Sequence, residues 1–311
     1  MLKIGTRGSK LALIQTQKVV DTIKSIHKGL DIEVVIIETS GDWKPSHGET
    51  LLSEAQGGKG LFAKEIEMAL MDRRIDVGVH SLKDVPTFLP RGLVVDHVLE
   101  RDDCRDAFIC NKAASIDELP EGAIVGSSSM RRSSIILSRR PDLKIVPLRG
   151  NVDTRLKKLD DGQVDATILA SAGLKRMGLK NRITSLIEPE AMLPAVCQGI
   201  IAIEIREDDN QTRDILDPIN HKKTHMMAVA ERALLTVLDG SCRTPIGSYG
   251  QWGQNDTMRL RGLVASLDGI NIYADEETAT VETIADAHAL GLRVGQSIKA
   301  KTPKKHLQVH G

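Results

Sequence analysis

Residues 75–86 read IDVGVHSLKDVP. Ile75, Val77 and Val79 alternate with Asp76 and Gly78, the period of a strand, and β-branched residues suit a pleated, half-buried surface. Lys83 and Asp84 then stand side by side, and Pro86 closes the stretch. Proline pushes Val85 out of the α region, which predicts that no helix begins until the pair has passed. A buried strand thus delivers a cation and an anion to its carboxyl end, where open α/β sheets bind ligands. Asp84 is the first candidate for chemistry. Taken alone, however, the stretch reads more plainly as a strand ending in two solvated charges.

Upstream, Leu2 to Gly5 reads as a strand, and Lys10 to Ile26 as a helix with Ala12, Val19, Ile23 and Ile26 on one face. Ile32 to Glu38 is a second strand, and residues 39–53 a polar connection. Gly57, Gly58, Lys59 and Gly60 precede a helix carrying Phe62, Ile66, Ala69 and Leu70. Three glycines in four residues suit a lid over a cleft. This is not a Walker loop, because Gly60 stands where a magnesium-binding Ser or Thr is needed.

Downstream, the charged run ERDDCR (100–105) marks a boundary. Strands are predicted at 106–110, 123–125, 144–148 and 166–169, with helices over 130–138 and 152–160. Ile4-Gly5-Thr6 before a helix is echoed by Val125-Gly126-Ser127 before a helix. This predicts one plan used twice: two α/β lobes with a cleft between them, a favoured place for ligands. IIAIEI (200–205) reads as a buried strand returning to the first lobe. From Asn220 a long apolar-faced helix runs to Asp239-Gly240, a usual helix stop. Three strands are predicted at 246–249, 259–266 and 270–273, the last two joined by Asp268-Gly269. A helix from about Val281 closes the chain, and the basic tail after Thr302 reads as disordered. The expected domains are 1–99 plus 200–217, 105–193 and 220–311.

Composition narrows the function. The 311 residues are 41% hydrophobic and 27% charged, a globular mix. Lys plus Arg and Asp plus Glu both number 42, so no general electrostatic grip on nucleic acid is expected. Aromatic residues, at 2%, are too few for base-stacking platforms. No apolar stretch is long enough for a membrane span and no signal peptide is evident, so no membrane partner and a cytoplasmic location are expected. The four cysteines form no C-x-x-C pair, and no H-E-x-x-H or similar cluster suggests a metal.

Against that neutral background, Arg7, Arg131, Arg132, Arg149, Arg155 and Arg176 all fall just beyond predicted strands or in the first turn of the next helix. Helix N-termini attract anions, and the guanidinium fork matches a carboxylate or phosphate. Ser127, Ser128 and Ser129 add hydroxyl donors. A lone arginine at a strand end is usually a surface residue. Six at equivalent places in two lobes predict one cleft for a small polyanion. A carboxylate among them should stay ionised, which suits Asp84 to stabilising a cation and to carrying protons on and off a nitrogen. Cys104 and Cys110 read as buried thiols and Cys197 as ambiguous. Cys242, in a loop beside Arg243, has a cation that favours thiolate, yet on spacing alone it reads as structural.

The motifs TRGSKLAL, GGKGLF, HSLKDVP, GSSSMRR, LRGNVDTR, AGLKRMG, LPAVCQG and GSC-x-x-P, in this order over nearly the whole chain, resemble the porphobilinogen deaminase (hydroxymethylbilane synthase) family. The resemblance implies two lobes like type II periplasmic binding proteins plus a smaller C-terminal domain with a three-stranded antiparallel sheet. It implies a transferase that joins four porphobilinogen molecules head to tail, releasing ammonia, to form hydroxymethylbilane. The implied cofactor is a dipyrromethane primer held by a thioether to Cys242, and the implied catalytic residue is Asp84. Arg7, Ser9, Lys83, Ser129, Arg131, Arg132, Arg149, Arg155, Arg176 and Gln198 are the implied cofactor- and substrate-binding residues. Lys59 and Phe62 are the implied mobile-loop residues. A monomer is expected. Two positions depart from the family pattern: Ser241 and Cys197 stand where glycine is usual. The rival reading is a non-catalytic two-lobe protein that binds an oxyanion.

Overall fold

The computed structural model of the chain describes residues 1–39, 63–238 and 244–307. In the first lobe, β1 (Leu2–Arg7), β2 (Ile32–Ile37) and β3 (Val77–Ser81) run parallel. Helix α1 (Lys10–Ile26) joins the first two. It begins where the pattern predicts because the Ser9 hydroxyl accepts the Ala12 N–H at 3.3 Å. Its buried face is Val19, Val20 and Ile23. Helix α2 (Lys64–Met71) buries Ile66, Ala69 and Leu70 ahead of β3. Lys59, Phe62 and the glycine run lie outside the described residues.

The end of β3 differs from expectation. A single 3-10 turn spans Leu82–Asp84 before the proline, and only Val85 is extended, at φ −76° and ψ 132°. Proline restricts its immediate predecessor and no residue before it, so one turn fits. The turn leaves Lys83 and Asp84 half-buried, while Leu82 and Val85 are buried in a core shared with the C-terminal part of the chain. Burying two such side chains contributes about 1.5–3 kcal/mol each. The turn carrying the charged pair is therefore anchored on both sides. Strand β4 (Leu93–Val98) follows.

The second lobe contains β5 (Asp106–Cys110), β6 (Ile124–Gly126), α3 (Met130–Arg139), β7 (Lys144–Val146), α4 (Val152–Asp160), β8 (Ala166–Ala170), α5 (Ser171–Arg176) and β9 (Ser185–Ile187). The chain then returns as β10 (Ile201–Arg206) and continues into α6 (Asn210–Leu216). The first sheet has the order β2-β1-β3-β10-β4 and the second β7-β6-β8-β5-β9. Each has three parallel strands followed by one that runs antiparallel to its neighbours, β10 in the first and β5 in the second. The expected doubling of one plan is thus present in the hydrogen-bond ladders, as two α/β lobes with the same pattern of parallel and antiparallel strands.

The C-terminal part packs α7 (Lys222–Val237) and α8 (Ile284–Lys301) beside the antiparallel sheet β11 (Ile246–Trp252), β12 (Thr257–Ala265) and β13 (Ile272–Thr280). The two helices pack closely because α8 offers Gly291 and Gly295 to α7. A Cβ at Gly291 would lie 2.2 Å from the Ala230 carbonyl oxygen. Strand β13 extends well past the predicted 270–273, since its IYADEETAT alternates half-buried and exposed residues and its acidic run hides the period. The tail also differs from expectation. Lys304–Leu307 forms a short helix, α9, with the His306 ring 5.7 Å from that of Tyr273 and Leu307 against the core.

One buried carboxylate ties these parts together. Glu231, on α7 and 0% exposed, accepts from Arg101 Nη1 at 2.5 Å, Cys197 N at 2.6 Å and Gly250 N at 2.8 Å. Arg101 and Cys197 lie on the two connections between the lobes, and Gly250 lies on β11. Arg101 also donates through Nε to the Gln198 carbonyl at 2.9 Å. Glu231→Ala should destabilise the protein by about 3–5 kcal/mol, because it strands a buried guanidinium. The midpoint of urea unfolding measures the loss, and a change within 1 kcal/mol (~) would refute the assignment.

Candidate active site at the lobe junction

The site is built where the Leu82–Asp84 turn meets the N-terminus of α3. Ser129 caps that helix, its hydroxyl accepting from Arg132 N at 3.5 Å, and Arg131 and Arg132 follow in the first turn. Both arginines are buried, and they converge on one carboxylate. Arg131 Nη2 donates to Asp106 Oδ2 at 2.7 Å, and Arg132 Nε and Nη2 donate to Oδ1 at 3.1 and 2.8 Å. They also donate to the Leu193 and Ile168 carbonyls, respectively. Burial alone would push the Asp106 carboxyl up. The charges of Arg131 and Arg132, with hydrogen bonds from Arg132 and Gln198, outweigh burial and hold it well below the usual carboxylate range.

Gln198 joins this group to Lys83. Its amide donates to Cys104 O at 2.8 Å and Asp106 Oδ1 at 2.9 Å. Its carbonyl accepts from Lys83 Nζ at 3.4 Å and Arg132 Nη2 at 3.5 Å. Burial pushes the Lys83 ammonium down. Asp84 and Asp106 oppose that and Arg132 and Arg131 add to it, leaving Lys83 at about 8. Lys83 therefore carries charge below pH 8 (~) and loses it above.

The other expected ligand residues are placed as follows. Arg176 binds Asp102 through Nε at 2.8 Å and the Gly199 carbonyl through Nη2 at 2.7 Å. It thus fastens α5 to both inter-lobe connections. Arg149 is buried before α4, and Arg155 Nε donates to the Gly150 carbonyl at 2.8 Å. Arg7 ends β1, and Ser9 caps α1. Six arginines are expected to line one cleft. Arg131, Arg132 and Arg176 are ion-paired within the protein, because guanidiniums buried this far need counter-charges. Gln198, expected to touch ligand, is 0% exposed with its amide engaged by the protein.

Sequence reading missed Asp106, Glu231 and Arg232. The last donates from α7 to the Pro86 and Thr87 carbonyls at 2.7 and 3.2 Å, just after the Asp84 turn. The signal available was only that acids were needed to pay for buried arginines. Cys197 has φ +60° and is 1% exposed, and burial pushes its thiol far up. A left-handed backbone at this point gives the physical reason for a usual glycine. Cys242 and Ser241 lie outside the described residues.

Fold and site together define a two-lobed α/β protein with a cation-rich junction and a third domain hung on its two connections. Residues 2–214 match the family described as "Porphobilinogen deaminase, dipyromethane cofactor binding domain". Residues 226–300 match "Porphobilinogen deaminase, C-terminal domain". The chain is 46% identical to the chloroplastic porphobilinogen deaminase of Oryza sativa subsp. japonica over 97% of its own length and 84% of that protein. It is also 46% identical to the porphobilinogen deaminase of Paracoccus denitrificans, over 97% and 95%. Among solved structures, a putative methionine-binding lipoprotein of Bacillus subtilis overlaps 72% of this chain and 91% of its own at a TM-score of 0.43 and 11% identity, too loosely to carry an argument. The chain belongs to the porphobilinogen deaminase family.

Proposed function

We propose that Asp84 is the charge-stabilising and proton-handling group of a repeated condensation, and that Lys83, Arg131 and Arg132 hold carboxylates of the ligand. The reaction is the family's, condensation of porphobilinogen into hydroxymethylbilane on a dipyrromethane cofactor. That membership sets aside the rival reading of a non-catalytic binding protein. The observation that carries the proposal is the single turn that places Asp84 beside Lys83, with the Arg131–Arg132 pair joined to that lysine through Gln198.

The residues fit an anionic dipyrromethane. Arg131 Nε is a buried N–H with no partner, and the Lys83 ammonium has its hydrogen bond to Gln198 at a long 3.4 Å, so both can donate to carboxylates. When bound, the cofactor supplies the pyrrole carbon on which the product grows. Asp84, as a carboxylate, hydrogen-bonds the ammonium of porphobilinogen, faces the positive charge that develops as that nitrogen departs as ammonia, and takes up the proton released when the new carbon–carbon bond is made. Holding the reactants on one protein makes each addition effectively intramolecular. Cys242 is the proposed thioether residue, supported by the burial of Cys104, Cys110 and Cys197. Arg7, Ser9, Ser129, Arg149, Arg155, Arg176 and Gln198 complete the proposed ligand contacts, and a cytoplasmic monomer is part of the same proposal.

The test is the pH dependence of kcat/KM, which reports groups of the free enzyme. Lys83 loses its charge as pH rises through about 8, so affinity for the anionic substrate should fall on that alkaline limb. Lys83→Arg should be slower yet lack the limb, because a guanidinium stays charged. An unaltered limb in that variant would remove Lys83 from ligand binding.

A further inference from the structure

Asp106 opens β5 with a carboxylate that is 0% exposed, and three side chains donate to it: Arg131, Arg132 and Gln198. Arg131 and Arg132 are adjacent on a helix, so their side chains leave it in different directions. Two buried guanidiniums also repel each other. Turning both onto the two oxygens of one carboxylate removes both obstacles. Gln198 passes the constraint on, since the same amide that donates to Asp106 accepts from Lys83 and Arg132. A single acid thus fixes cations from both lobes, Lys83 on the first and the arginine pair on the second.

We propose that Asp106 is a positioning residue for the condensation: it locks Arg131, Arg132 and, through Gln198, Lys83 into a pre-set donor array before any ligand arrives. This rests on the reading of those three cations as carboxylate holders. Pre-set donors spare the ligand the cost of ordering them, so the effect of Asp106 falls on binding before it falls on the chemical step. Its negative charge also helps keep Lys83 protonated, alongside Asp84 and against Arg131 and Arg132.

The experiment compares Asp106→Asn with Arg132→Met and Lys83→Met, using for each only protein shown by intact mass to carry the cofactor. Asp106→Asn should raise KM by about 30-fold or more with a smaller change in kcat, the loss expected when a buried charge pair is broken. Its alkaline limb should also move to lower pH, a shift that a purely structural role would not produce. A parental KM and an unmoved limb in Asp106→Asn, with KM raised in Arg132→Met, would overturn the proposal and leave the ligand-binding reading standing. Parental KM values in both Arg132→Met and Lys83→Met would sink that reading and the proposal with it. If Asp106→Asn does not fold, a crystal structure of the parent protein with its cofactor decides. The proposal expects both guanidiniums still within hydrogen-bond distance of Asp106, and their departure from it would refute it.

Discussion

Asp84→Asn should purify with its cofactor in place and turn over about 10²–10⁴-fold more slowly, the usual contribution of a positioned acid–base group. Asparagine keeps the shape and the 3-10 turn, whose anchors are the buried Leu82 and Val85 and the two Arg232 hydrogen bonds that follow. It removes the charge and the ability to take up a proton. The defect should therefore appear in kcat, with the intact mass unchanged and KM altered little. Single-turnover measurement of ammonia release isolates the step. A rate within a few-fold (~) of the parent would remove Asp84 from the mechanism.

Cys242→Ser should lack the added mass of a dipyrromethane and show no turnover. Thiolate is the form that makes the bond, and a serine hydroxyl stays protonated near neutral pH. The other thiols are poor substitutes. Cys104, Cys110 and Cys197 are buried, and burial raises the thiols of Cys104 and Cys197. Intact mass under denaturing conditions reads the result directly. An adduct retained in the serine variant would send the attachment elsewhere, and an unmodified mass in active parental protein would remove the covalent primer altogether.

The lobes were legible because their signals are local. Apolar spacing marks the first helix, and β-branched runs mark the central strands, while the caps Ser9 and Ser129 came from the structure. Where the period was masked, as in the acidic β13, or a restriction was carried one residue too far, as at Pro86, reading and structure part. The charged pair at Lys83 and Asp84 was visible for the same local reason. What sequence could not show was how the arginines are spent. Asp106 lies 25 residues before Arg131 and 92 before Gln198, and Glu231 lies 130 beyond Arg101. Nothing in spacing links such partners. Counter-charges for buried cations are recruited by the fold, so the inventory of cations was readable and their pairing was not.

The strand order also bears on how the protein is made. The second sheet is contiguous, from Asp106 to Ile187, and can assemble as soon as that segment has left the ribosome. The first cannot. β10 sits in its interior, between β3 and β4, so the N-terminal lobe waits with an open seam until residue 206 has been synthesised. At about 5–20 residues per second, that delay lasts about 5–20 seconds after β4 emerges. The lobe that bears Asp84 is thus completed after the lobe that bears Arg131 and Arg132, although it is encoded first. During the interval the exposed edges of β3 and β4 are the nascent chain's principal hazard for mispairing.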